Sequence, residues 1–150
     1  MKIAFDENIP KAMVDTFREL ANKDHLTGES IHWARDYTLP GEKDDDRPWM
    51  RRFAADGGDV IITGDKRIRS RLHEQQVYME CGFVLYMFRS TWSDWDFKSK
   101  SGFLLRWWDT IHDHASSAPR PSCWEIPTTW LPDVNKLIDK TGPLFPELRR

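Results

Sequence analysis

Four short apolar runs decide the fold class of this chain before any single residue does. "KIAF", "ESIHWA", "DVIIT" and "FVLYMF" are each of strand length, and the stretches between them carry helical spacing or helical punctuation. Pro10 stands where helices begin and is followed by "AMVDTFREL". "DDDRPWMRRFAADGG" opens on cap-type aspartates, places Pro48 in the first turn and ends on a glycine pair, and "KRIRSRLHEQQVYMECG" closes on Gly82. "RDYTLPGEKDDD" is a polar loop. "DVIIT", apolar throughout and β-branched, is what a strand covered on both faces requires. Repeated alternation of strand and helix predicts an α/β domain with a mainly parallel sheet.

Beyond residue 90 the composition changes. Six of the eight tryptophans lie there: Trp92, Trp95, Trp107, Trp108, Trp124 and Trp130. In "SGFLLRWWDTIHDHA", Phe103, Leu104, Trp107, Trp108 and Ile111 form a helical stripe expected to pack on the sheet. The following residues are rich in proline and hold no sustained period. The expected organisation is one α/β domain over 1–118 and a Pro/Trp-rich extension over 119–150, packed on the core or on a partner. Partner contact, with a second copy or another protein, is the favoured expectation for the final segment.

A chain of 150 residues buries about 70% of its unfolded surface, so it can hold a core without staples. Cys81 and Cys123 have no metal-ligand spacing around them and are expected to be free thiols. No run approaches the ~20 apolar residues of a membrane span, and the chain reads as soluble and cytoplasmic. With 22 Lys+Arg against 24 Asp+Glu, a globally basic nucleic-acid binder is excluded, while a local basic patch is not.

The chemistry collects where these strands end. In open α/β sheets ligands bind outside the carboxyl ends of the strands, and Asp6 follows the first strand as Asp65 follows "VIIT". Asp46 joins them from a helix start. If the two strands are neighbours, three carboxylates converge, and anions so placed repel unless a cation binds them. Hard oxygen ligands favour Mg²⁺ or Mn²⁺, so Asp6, Asp46 and Asp65 are the candidate metal ligands and catalytic residues. Such a site suits hydrolysis of phosphodiesters. Lys66, Arg67 and Arg69, with Arg51, Arg52 and Arg71 as further candidates, would hold the phosphates of a polyanion. Thr63 and Asp45 are supporting candidates.

"IAFDENIP", "DRPWM" and "VIITGDKRI" followed by "FVLYMF" resemble the PIN-like domains, specifically the branch related to ribonuclease toxins of bacterial type II toxin-antitoxin modules. The resemblance is close over about residues 1–90, with "LLRWW" following more loosely. It matches Asp6, Glu7 and Asn8 to a first-strand Asp-Glu-Asn, Asp46 and Trp49 to an acid three residues before a helical Trp, and Thr63, Gly64 and Asp65 to a Ser/Thr-Gly-Asp. It implies a three-layer α/β/α PIN-like fold and Mg²⁺- or Mn²⁺-dependent endoribonuclease activity on RNA, often restrained by an antitoxin. Asn8 then falls among the substrate-binding residues and Glu7 among the supporting ones. One feature departs from the wider pattern: Lys66 and Arg67 stand where a fourth acid usually follows the third, and Glu74 and Glu80 lie on a helix.

Plainer readings compete. Asp6 and Asp65 can act as helix caps, Asp44 and Asp45 as loop residues, and the Lys/Arg run as a solvated helix face. His112 and His114, two apart, fall on different helix faces. Two other functions follow from the same residues: a catalytically impaired PIN-like module that binds RNA or protein, and a signalling domain accepting phosphate on an Asp. The second is opposed by the lack of a Lys closing "FVLYMF". A homodimer is a further possible assembly.

Overall fold

The computed structural model describes residues 1–26, 30–64 and 71–145. Six strands form one sheet: β1 (Lys2–Phe5), β2 (Ser30–Trp33), β3 (Val60–Thr63), β4 (Val84–Phe88), β5 (Ser122–Ile126) and β6 (Ile138–Asp139). Their order is β2-β1-β3-β4-β5-β6, parallel throughout except for the antiparallel β5/β6 pair. Among the helices are α1 (Lys11–Asn22), α2 (Arg47–Ala55), α3 (Leu72–Cys81), α4 (Phe97–Ser117) and α5 (Thr141–Leu144).

Strand periodicity sorts the core into two layers. Ile3, Phe5, Val60, Ile62, Val84, Tyr86 and Phe88 face α1 and α4, where they meet Phe17, Trp107 and Trp108. Ala4, Ile61, Leu85 and Met87 face the other way, onto Trp49, Met50 and Phe53 of α2 and Val77 and Tyr78 of α3. Sheet strands with opposite neighbours buried on both sides give the α/β/α sandwich expected of this sequence. α3 ends on Gly82, whose φ of 71° is open to glycine at no steric cost, and Phe83 N–H closes that end by donating to Tyr78 O at 3.3 Å.

The strands β1 and β3 are neighbours, with Ile3 opposite Val60 and Phe5 opposite Ile62. The chain leaves β1 toward β2 on one side, and β3 leads to β4 on the other, so the gap between β1 and β3 is the point at which strand order reverses. Ligands of open α/β sheets bind at such points.

The C-terminal segment supplies β5, β6 and α5. Pro121 and Pro127 bracket β5 without entering it, which leaves its ladder donors intact. Partner contact was the favoured expectation for residues 131–150, but the structure seats Leu137, Leu144 and Phe145 in the core. Backbone pairing explains the difference: Lys140 N–H donates to Cys123 O at 2.8 Å and Thr141 Oγ1 accepts from Cys123 N–H at 3.0 Å. Trp130 and Leu131 remain exposed. Residues 146–150 lie outside the described residues.

Candidate active site

Asp6 is the first residue after β1, and its N–H continues the β1/β3 ladder by donating to Ile62 O at 3.1 Å. The residue is only 5% exposed. Its carboxylate is held from two directions: Thr63 Oγ1, at the end of β3, donates to Oδ2, and Asn8 N–H donates to Oδ1 at 3.0 Å. The second bond makes an Asx turn. Asp6 is thus fixed at the strand switch point by its own loop and by the neighbouring strand, and no helix-cap role is needed to account for its burial.

Asp46 stands at the N-cap position of α2, yet its side chain caps nothing. It accepts instead from Trp49 Nε1 at 3.2 Å. A spacing of three residues on a helix start puts the indole N–H beside the carboxylate. The other oxygen lies 3.6 Å from the Arg71 guanidinium, which also approaches Glu74 Oε1 at 3.2 Å. Glu74, in the first turn of α3, is 4% exposed. Arg71 therefore ties the starts of α2 and α3 together through two acids.

Glu7 connects Asp6 to this group. Burial and then the nearby Asp46 carboxylate push its pKa up, and Asp44 adds to this, while Arg35 and Arg71 pull it down. Arg35 sits 3.8 Å from Glu7 Oε2. Carboxylates on the first loop, on α2 and on α3 thus face one another through Glu7 and Arg71. Asn8 itself is exposed beside them.

Other candidates are placed elsewhere. Asp45 is engaged by Arg47, whose Nε and Nη2 donate at 2.9 and 2.8 Å, and that bonding holds its carboxyl at about 2. Arg52 pairs with Glu42 and donates to Tyr37 O at 2.8 Å, and Arg51 pairs with Glu80 at 3.0 Å. These two arginines tie α2 to α3 and to the segment before it rather than to the acidic edge. Glu80 goes with Arg51, whereas Glu74 goes to the edge. His114 Nδ1 lies 2.7 Å from Tyr86 Oη and its ring stands edge-on to Trp124, so it belongs to the core rather than to a site shared with His112. Asp65, Lys66, Arg67 and Arg69 lie outside the described residues.

Among the described residues no three His, Cys, Asp or Glu side chains meet as a metal-binding group. The donor chemistry nevertheless suits a hard divalent cation: the acids present oxygen only, and Asp46 raises the cost of ionising Glu7. Sequence reasoning named Asp6 and Asp46 but missed the roles of Glu74 and Arg71. Their spacing of three on a helix start was the available signal. Arg35, in a one-turn helix at Ala34–Tyr37, carried no signal at all, because the loop path that brings it to Glu7 is a tertiary property.

No curated protein and no solved structure matches the chain. A family model described as "PIN like domain" matches residues 1–90, which carry β1 through β4 and every acid described above. PIN-like domains are generally nucleases. On a match spanning more than half its length, at the residues that form the acidic edge, the chain belongs to the PIN-like domain family.

Proposed function

We propose that the protein is a metal-dependent endoribonuclease of the toxin type, with Asp6, Asp46 and Asp65 holding Mg²⁺ or Mn²⁺. The observation that carries this reading is Asp6: a buried carboxylate at the strand switch point, oriented by Thr63 and by Asn8 N–H. A divalent cation bound there supplies a water of lowered pKa and neutralises charge at the phosphoryl oxygens. The chain's own residues do the rest. Thr63 fixes the Asp6 carboxylate, Trp49 Nε1 fixes that of Asp46, and Lys66, Arg67, Arg69 and Asn8 take the phosphates flanking the cleaved bond. Residues 1–118 form the nuclease unit and 119–150 its extension, acting in the cytoplasm under an antitoxin.

The test is to incubate end-labelled RNA with the protein in Mn²⁺ and in chelator, and to examine the new ends. Hydrolysis by water with departure of the 3′ oxygen leaves a 5′-phosphate and a 3′-hydroxyl. A 2′,3′-cyclic phosphate, or equal cutting in chelator, would exclude the reading.

One observation favours a second reading, a PIN-like RNA-binding or protein-binding module without catalysis. The Arg71 guanidinium already balances part of the charge of Asp46 and Glu74 that a metal would otherwise neutralise. Failure to bind Mn²⁺ with RNA binding retained would establish it.

A further inference from the structure

A cavity of about 590 Å³ opens at the ends of β4 and β5, on the edge of the sheet that also carries Asp6. Its polar lining is Arg89, Ser90, Thr91, Glu125, Thr128 and Lys140. Glu125, on β5, keeps only 13% of its side chain exposed, with Arg89 Nε at 3.7 Å and Lys140 Nζ at 3.9 Å. Both distances exceed hydrogen-bond range. The carboxylate therefore keeps two cations near its Oε2 beyond hydrogen-bond distance, and the lining carries a net charge of +1 in a chain whose total is -2. Three hydroxyls add neutral donors and acceptors. The volume suits a ligand of one nucleotide's size.

Position connects this cavity to the acidic edge. β4 lies two strands from β1, a separation of roughly 10 Å at the usual strand spacing. Trp92 bridges the interval: a Cβ on Gly64, just past β3, would approach its ring at 3.3 Å, and Lys100 Nζ stands 5.1 Å over that ring. Lys100 thus adds a further cation beside Trp92.

We propose that this cavity is a phosphate-anchored nucleotide subsite, in which Arg89 and Lys140 hold a phosphate of the RNA strand flanking the cleavage position. The proposal rests on the nuclease reading for the strand's identity but not for the binding itself, and its test separates the two. Calorimetric titration in chelator uses adenosine 5′-monophosphate, adenosine, inorganic phosphate and a short single-stranded oligoribonucleotide. The monophosphate and the oligonucleotide are expected to bind, and adenosine to bind at least tenfold more weakly. Arg89→Gln with Lys140→Gln should weaken the monophosphate and the oligonucleotide by tenfold or more, whereas Glu125→Gln, which removes the opposing charge at constant shape, should tighten them. Asp6→Asn, which disables the nuclease, should leave the affinity for the monophosphate unchanged. A changed affinity for the monophosphate in Asp6→Asn would place the nucleotide at the acidic edge and overturn the subsite. So would wild-type affinity in the double variant, weaker binding in Glu125→Gln, or binding of the monophosphate with exclusion of the oligonucleotide. If RNA is never cut but these affinities follow the expected pattern, the nuclease reading fails and the subsite stands.

Discussion

The Glu7 carboxyl, half-buried on the loop after β1, is pushed above its usual 4.5 first by burial and then by Asp46. Folding therefore tightens its hold on a proton, so the stability it contributes is complete below the unfolded pKa and is lost as pH rises through the folded one. Glu7→Gln should accordingly melt at a higher temperature than wild type near about pH 7 and at the same temperature near about pH 4. A gain of equal size at both would assign it to packing. Lys66→Ala with Arg67→Ala should weaken binding of unrelated RNA sequences alike and reduce the salt slope by roughly 1 to 2, because phosphate contacts carry no sequence information. An unchanged slope would return these side chains to an ordinary solvated face. Asp6 and Asp46 were legible in the sequence because strand ends and helix starts announce themselves locally. Arg35 and Glu74 were not, since their approach to the acids depends on how separate segments pack.

Among the elements, β1, β3 and β4 were the easiest to foresee, as runs too apolar for an exposed surface. The strand β5 was hidden: "SCWEI" is short, holds Glu125, and sits among prolines that suggest irregular chain. Its pairing with β4 and β6 overrides that composition. α5 is shorter still, and it is held by what it covers. Leu144 and Phe145 are 1% and 2% exposed, so Leu144→Ala should cost about 2–5 kcal/mol and Phe145→Ala about 3–5 kcal/mol. Chemical denaturation measures both. Losses below about 0.5 kcal/mol, the range of ordinary surface changes, would show that the C-terminal segment does not share the core. Partner contact then remains open to Trp130 and Leu131, which the same segment leaves exposed.

Over its described residues the molecule is a mainly parallel sheet between two helical layers, and Asp6 stands where the strand order turns. Net charge near zero concealed this arrangement, because the acids of the first loop, α2 and α3 lie far apart in the sequence and meet, with Arg35 and Arg71 among them, only at one edge of the sheet. Tryptophan content, the most unusual feature of the composition, proved to be largely a core property: Trp107 and Trp108 lie among the largest fully buried side chains. On the proposed reading, the fold serves function by fixing the Asp6 carboxylate, through Thr63 and Asn8 N–H, at the point where the strand order reverses. The most direct measurement of that claim is the rate of Mn²⁺-dependent RNA cleavage by Asp6→Asn beside wild type, with the melting temperature of each recorded. Asp6→Asn should cut at least a hundredfold more slowly while remaining folded, since the charge is removed at nearly constant shape. Cleavage at the wild-type rate by a folded Asp6→Asn would contradict the account.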